Sequence, residues 1–169
     1  MTTHAEELKK VRTLAKIVRK AMEHVAKWEE ESGKIDCLFN DAVNLNGYCA
    51  RASALLSIAL ERAGIEHKIT GGAGHIFIKW RNHIVDVTAT QFSNNLGKTV
   101  ICKKETLDKK VSAHKRSYWR EKVSFDESLN LWDWQDEHDW PECQRTQPYD
   151  CEFLEKLKEY KEFQYGIQK

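Results

Sequence analysis

The sequence predicts an α+β fold in which a buried central helix packs on a small antiparallel sheet, with flanking helices at both ends. Three patterns support this fold class. Residues 49–63 are apolar on nearly every side, as expected of a helix inside a domain. Two short segments within residues 75–88 are separated by Arg81-Asn82, which indicates a β-hairpin. Residues 4–31 carry apolar side chains at three- and four-residue steps, which indicates a long amphipathic helix.

The first element is the amphipathic helix, whose pattern ends at Ser32-Gly33. Its apolar positions lie between Lys, Arg and Glu, so one face should pack on the core. These positions are Leu8, Val11, Leu14, Val18, Met22 and Val25. The following residues, 35–47, are loop-like in composition. Cys37 lies there among apolar neighbours, which favours a buried and inert thiol.

The central helix begins at Cys49 and is followed by several short strands. Gly64 is the expected left-handed residue after the helix. We predict strands over residues 66–70, 75–80 and 84–88, and either a strand or an edge segment over 98–103. The first two strands are connected by Gly71-Gly72-Ala73-Gly74, which permits close backbone approach or unusual dihedral angles.

The C-terminal third of the chain is charged and rich in tryptophan. Residues 105–122 are expected to be helical in part. Residues 126–151 contain Trp132, Trp134 and Trp140 among acidic side chains, and this segment is either a packing cluster, which we favour, or a lid over a cleft. Residues 150–165 have the spacing of a final amphipathic helix.

We expect one domain over residues 1–169. It should comprise an N-terminal helix (1–33), a core that carries the chemistry (35–105) and a C-terminal annex (106–169). Hydrophobic residues make up 41% of the chain, which is enough for a folded core.

Composition also restricts the partners and the compartment. The 27 basic and 26 acidic residues form no concentrated basic block, so we expect no nucleic-acid partner. No apolar run approaches the roughly 18–20 residues needed to span a bilayer, so we expect no membrane partner. The first residues fit neither a signal peptide nor a transit peptide. Five scattered cysteines, an odd number, favour a reduced cytoplasmic protein with at least one free thiol.

Cysteine, histidine and aspartate occur in that order on three consecutive predicted elements. Cys49 opens the central helix, where unpaired amides and the helix dipole stabilise a thiolate. His75 opens one strand of the hairpin, and Asp86 lies on the other. For a cysteine or a histidine taken alone, a packing role is at least as good an explanation. Together they suggest a thiol nucleophile with a base and an orienting acid.

The hairpin register provides a geometric test of this arrangement. If Arg81-Asn82 is a two-residue turn, Phe77 faces Asp86 across the hairpin. His75 and Asp86 then lie on the same face as diagonal neighbours, within reach of each other. A three-residue turn would place them on opposite faces.

These residues resemble the transglutaminase-like core of the papain-like cysteine enzyme superfamily. The similarity rests on Gly47-Tyr48-Cys49, the Ala/Leu-rich helix ending in Ala-Gly-Ile, then Gly-Gly, His75 and Asp86-Val-Thr88. It covers about residues 44–92, and residues 84–92 also resemble small bacterial or phage-type members of unknown activity. The resemblance implies that Cys49 is the nucleophile, His75 the general base and acid, and Asp86 the orienter.

The oxyanion and substrate-binding groups are less well defined by the sequence. The backbone amide of Cys49 is one expected donor, because it lies at a helix start. Relatives use a side chain a few residues before the cysteine, so Asn44 and Asn46 are candidates, together with the adjacent Tyr48. Gln91 is either a wall of the site or a structural hydrogen-bonding residue, and we favour the structural role.

The predicted function is therefore a cysteine-dependent hydrolase or acyltransferase acting on an amide or thioester, of peptidase, deamidase or transglutaminase type. The substrate would be a peptide, a protein or a small amide or amine. No cofactor is implied, no acidic loop suggests calcium, and His138, Cys143 and Cys151 lack the close spacing of a zinc site. The alternatives are a catalytically inactive binding module and an effector that modifies one host protein. Tyr118-Trp119 and the tryptophans of 126–151 are candidates for shaping an acceptor pocket.

Overall fold

The computed structural model describes residues 3–33, 42–93, 95–121 and 123–124. Within these ranges the fold is α+β, as predicted. The helices are α1 (His4–Glu31), α2 (Cys49–Arg62) and α3 (Lys104–Asp108), with short 3₁₀ helices at Ala89–Gln91 and Ala113–Trp119. The strands are β1 (Lys68–Gly72), β2 (His75–Trp80), β3 (His83–Asp86), β4 (Val100–Lys103) and β5 (Val123–Ser124).

The five strands form one antiparallel sheet in the order β4-β3-β2-β1-β5. The β2–β3 hairpin has the predicted two-residue turn, because Trp80 pairs with His83 and Ile78 with Val85. This register confirms that the turn has two residues, which places His75 and Asp86 on the same face of the sheet. Residues 98–103 had been predicted as either a strand or an edge segment. In the structure β4 is a strand, and it forms one edge of the sheet.

Three strands have boundaries that differ from the prediction, and β4 begins at Val100 instead of residue 98. The first strand was expected over 66–70 but runs from Lys68 to Gly72, because Gly71 and Gly72 pair with the start of β2. The third strand was expected over 84–88 but ends at Asp86. The Thr88 amide donates to the Asp86 carboxylate at 2.7 Å, so the chain leaves the sheet at that point.

The turn between β1 and β2 consists of Ala73 and Gly74. Both have positive φ angles, 47° and 80°. Positive φ at both central residues is the requirement of a two-residue type I′ hairpin turn. The glycine-rich stretch therefore serves both purposes expected from the sequence, since Gly74 supplies the unusual dihedral angle and Gly72 permits a close approach described below.

The two faces of the sheet are covered by different elements. One face packs against α1 and α2, and its buried cluster includes Val18, Leu56 and Ile78. The opposite face carries Phe77 and packs against α3 and the 113–119 3₁₀ helix through Leu107. The helix predicted to be apolar all round is therefore enclosed between α1 and the sheet.

Within the described ranges, no helix has both the length and the apolar character required to cross a bilayer. Residues 105–122 are helical in part, as predicted, through α3 and the 113–119 3₁₀ helix. Cys37, the tryptophan-rich segment 126–151 and the expected helix 150–165 lie outside the described residues.

Candidate active site

Cys49, His75 and Asp86 occupy the ends of three elements. Cys49 is the first residue of α2, His75 is the first residue of β2, and Asp86 is the last residue of β3. All three are buried, with relative exposures of 4%, 0% and 2%. The sequence had placed them on these elements, and the structure brings His75 into direct contact with Asp86.

The contact is a hydrogen bond of 2.7 Å between His75 Nε2 and Asp86 Oδ2. It follows from the two-residue hairpin turn, which places both side chains on the same face of the sheet. The bond fixes the orientation of the imidazole ring. The nitrogen left for a thiol is then Nδ1, which is buried and has no hydrogen-bond partner among the described residues.

Asp86 accepts four hydrogen bonds, two on each oxygen. Oδ1 accepts from the Thr88 amide at 2.7 Å and from the Thr88 hydroxyl at 3.0 Å. Oδ2 accepts from His75 and from the Trp119 indole Nε1–H, also at 2.7 Å. A carboxylate that is fully buried requires such compensation, because burial without donors strongly disfavours its charge.

These contacts shift the acid–base properties of the pair. Burial alone would lower the pKa of His75, but the Asp86 charge, the Asp86 hydrogen bond and the neighbouring Cys49 side chain raise its pKa to about 9. Burial alone would raise the pKa of Asp86, but the charge and hydrogen bond of His75 and the donors Trp119 and Thr88 lower it. The pair is therefore held as imidazolium and carboxylate near neutral pH.

Cys49 lies at the N-terminus of α2. Its surroundings are small and apolar, since it packs with Ala50, Ala54 and Ile76. The first amides of a helix have no acceptor inside that helix, so this end of α2 can stabilise an anion. Cys49 is also close enough to contribute to the raised pKa of His75. A thiol here has both a helix N-terminus and an imidazolium as neighbours.

The candidate oxyanion residues lie in the segment that leads into α2. This segment turns sharply, with positive φ at Leu45 (57°) and Gly47 (82°) on either side of Asn46. The backbone oxygen of Asn44 accepts from the Thr90 hydroxyl at 2.9 Å. Asn46 is half-buried in the turn.

Tyr48 and Gln91 differ in their hydrogen bonding. The Tyr48 hydroxyl donates to Glu29 Oε2 at 2.7 Å, and Glu29 also binds Arg51 at 2.6 Å. Tyr48 therefore connects α2 to α1, and its hydroxyl is occupied. Burial and the Glu29 charge raise the pKa of Tyr48. Gln91 ends the 89–91 3₁₀ helix, and its Nε2 is buried without a hydrogen-bond partner among the described residues, so this nitrogen makes no structural hydrogen bond there.

Arg19 of α1 is a residue that the sequence did not identify. It is 2% exposed and donates to the backbone oxygens of Val87 (2.8 Å) and Val43 (3.0 Å) and to the Thr90 hydroxyl (2.9 Å). It thus connects the segment before Cys49 with the segment after Asp86. A signal was present, because Arg19 occupies a position within the apolar helical series between Ala15 and Met22.

Aromatic rings surround His75 on the face opposite α2. Phe92 meets the imidazole edge-on with a centroid separation of 4.6 Å, and Trp119 does so at 5.8 Å. Tyr118 stacks on Phe92 at 4.1 Å. Tyr118-Trp119 had been considered for an acceptor pocket, but the direct bond from Trp119 to Asp86 was not anticipated. Trp119 lies 33 positions from Asp86, so no local pattern indicates the contact.

No metal site is evident in the described part of the chain, where no group of three or more His, Cys, Asp or Glu side chains is arranged to hold an ion. His138, Cys143 and Cys151, which we had judged unsuitable for zinc, lie outside that part. The fold and site thus define an α+β protein with a buried Cys, His and Asp at the end of one sheet. No protein-family model matches the chain, and neither curated proteins nor solved structures give a match.

Proposed function

We propose that this chain is a transglutaminase-like, papain-like cysteine hydrolase or acyltransferase that acts on an amide or thioester. The observation that carries the proposal is the buried His75–Asp86 hydrogen bond, which leaves His75 Nδ1 for the adjacent Cys49 at a helix N-terminus. A Cys–His pair with an orienting carboxylate is the arrangement required to activate a thiol. The substrate would be a peptide, a protein or a small amide or amine.

In the first half-reaction the Cys49 thiolate attacks the substrate carbonyl carbon and forms a carbon–sulfur bond. The carbonyl π electrons move to oxygen, and the amides at the start of α2 stabilise that oxyanion. The oxyanion then collapses, the bond to the amine or thiol breaks, and the His75 imidazolium protonates the leaving group. A thioester to Cys49, the acyl-enzyme, remains.

In the second half-reaction the neutral His75 accepts a proton from water or from an amine as that nucleophile attacks the thioester. The carbon–sulfur bond breaks, and Cys49 leaves as the thiolate with His75 again protonated. Attack by water gives hydrolysis or deamidation, and attack by an amine gives acyl transfer. Asp86 stabilises the imidazolium and holds the ring throughout.

Cysteine alkylation tests whether Cys49 is activated. Iodoacetamide should modify Cys49 about tenfold faster than Cys102 near neutral pH, because Cys49, unlike Cys102, has an imidazolium neighbour. Cys102 is the internal reference: it is more accessible than Cys49, but burial raises its pKa and lowers its thiolate fraction, so activation of Cys49 is judged from its dependence on His75. The two rates are separated by peptide mass spectrometry on the full chain.

The matched variants are His75→Gln and His83→Gln. His75→Gln should reduce the Cys49 rate to that of Cys102, and His83→Gln should leave it unchanged. A Cys49 rate no greater than that of Cys102 and insensitive to His75→Gln would refute the activated nucleophile and favour an inactive binding module.

A further inference from the structure

Trp119 makes a polar contact that its packing role does not require. Its indole Nε1–H donates to Asp86 Oδ2 at 2.7 Å, and the side chain is 2% exposed. The same oxygen accepts from His75 Nε2 at 2.7 Å. Two donors therefore share one carboxylate oxygen, and the remaining oxygen is occupied by Thr88.

The backbone is arranged to bring Trp119 to this point. A Cβ atom at Gly72 would lie 2.0 Å from the backbone oxygen of Arg120, so only glycine permits the chain to cross β1 there. Immediately beyond the crossing, β5 pairs with β1, with Val123 opposite Gly71. The crossing and the strand pairing together hold residue 119 over the end of β3.

The shared oxygen has a chemical consequence for His75. A donor on a carboxylate oxygen reduces the negative charge that the oxygen offers to a second donor. With Trp119 bound, Asp86 stays ionised but holds the imidazolium proton less tightly than it would alone. The proposed reaction needs His75 to give up its proton and take it back in each cycle.

We propose that Trp119 is a positioning residue of this site, which fixes the Asp86 carboxylate through Oδ2 and moderates its hold on the His75 proton. The inference rests on the proposed function for its catalytic meaning, but the effect on His75 is measurable without a substrate. Asp86 and Cys49 are the titratable groups that face His75 among the described residues. Both are retained in every variant below.

The chain offers a matched control in Trp80. It is also buried, and its Nε1–H also donates to a carboxylate, that of Glu7 at 3.1 Å. Trp119→Phe and Trp80→Phe therefore remove equivalent donors, and only the first removes one from Asp86. The midpoint of the His75 titration is measured by NMR on full-length protein with ring-labelled histidine, with the His75 signals assigned by their loss in His75→Gln.

In Trp119→Phe the His75 midpoint should rise by at least about half a pH unit, because Asp86 then offers its full charge to the imidazolium. In Trp80→Phe the midpoint should not change. A midpoint that is unchanged or lower in Trp119→Phe overturns the inference, and so does an equal rise in both variants.

A measurement on the unaltered protein keeps the inference testable if Trp119→Phe does not fold. The Trp119 indole proton, assigned through its contacts with Phe92 and Tyr118, should shift along the His75 titration, whereas the Trp80 indole proton should not. An indole signal at Trp119 that ignores the His75 titration overturns the inference.

Failure of the inference and failure of the proposed function give different results. If His75 responds to Trp119→Phe but Cys49 is alkylated no faster than Cys102, the positioning contact stands and the enzyme proposal fails. If Cys49 is activated through His75 but Trp119→Phe leaves the His75 midpoint unchanged, the enzyme proposal stands and the role of Trp119 is refuted.

Discussion

At the residue scale, the two opposite charges of His75 and Asp86 lie next to each other where neither side chain is accessible to water. His75 and Asp86 stabilise each other because each is poorly solvated and each has fixed hydrogen bonds. The raised pKa of His75 means that the folded protein binds the imidazolium proton more tightly than the unfolded chain does. Tighter proton binding by the folded state makes stability depend on pH.

We predict that the contribution of His75 to stability is lost as pH rises. Because the pKa of His75 is raised from 6.5 to about 9, the contribution is fully present below about pH 6.5 and disappears through about pH 9. The difference in unfolding free energy between the native protein and His75→Gln should shrink by about 3 kcal/mol across that window. Urea unfolding at several pH values measures it.

His83→Gln is the control, because its pH dependence should have the opposite sign. Burial and the charges of His4, Lys103 and Arg12 lower the pKa of His83. Protonation therefore favours the unfolded chain at this site, and the contribution of His83 improves as pH rises toward 6.5. Parallel pH profiles for the two variants would contradict the charge assignments at both sites.

The contact between His75 and Asp86 was predictable because strand geometry has a period of two. Once the turn at Arg81-Asn82 was counted as two residues, His75 and Asp86 had to share a face. Trp119 was not predictable in this way, because its contact depends on how a distant segment crosses β1. Arg19 was missed for a related reason, since its acceptors outside α1 belong to two distant segments whose meeting no periodicity encodes.

At the scale of elements, β1 combines two functions in one short strand. It pairs with β2 along its whole length, and its glycine end lies beneath the 117–120 backbone. The sequence indicated that these glycines allow close approach but not which segment approaches. The two-residue error in the first strand has the same origin, because glycine usually weakens a strand, whereas here both glycines pair with β2 and Gly71 also pairs with β5.

We predict that Gly72→Ala destabilises the protein by at least about 2 kcal/mol, because the new Cβ would overlap the Arg120 backbone oxygen. The displaced segment should also withdraw Trp119 from Asp86, so the Trp119 indole proton should lose its protection from hydrogen exchange. Gly97→Ala is the control, since its Cβ would meet Thr99 at an ordinary 3.7 Å and should change stability by no more than about 0.5 kcal/mol. Equal effects of both variants would show that the crossing is not tightly packed.

At the scale of the whole molecule, α1 does more than cover the core, which is all its amphipathic pattern indicated. It reaches the site from two positions along its length. Glu29 holds Tyr48 and Arg51 at the start of α2, while Arg19 binds the segments on both sides of the site. Both are buried side chains of ordinary charged residues, whose function only the assembled fold reveals.

Replacing Arg19 tests how much α1 contributes to the fold and to the site. Arg19→Met keeps the apolar stem but removes the donors to Val43, Val87 and Thr90, leaving two backbone oxygens without them. We expect a loss of about 2–4 kcal/mol in unfolding free energy. The partner carboxylate Glu23 would keep its ion pair with Lys98 at 2.8 Å, so no buried charge is left unpaired.

Arg19→Met should also lower the reactivity of Cys49. With the segment before Cys49 no longer fixed to the segment after Asp86, the alkylation rate of Cys49 should fall toward that of Cys102, even under conditions where the variant is fully folded. Arg12→Met, at an exposed position of the same helix, should alter stability by no more than about 0.5 kcal/mol and leave the rate unchanged. A folded Arg19→Met protein with an unchanged Cys49 rate would mean that α1 stabilises the fold without positioning Cys49, because the start of α2 would then hold Cys49 in place without the contacts of Arg19.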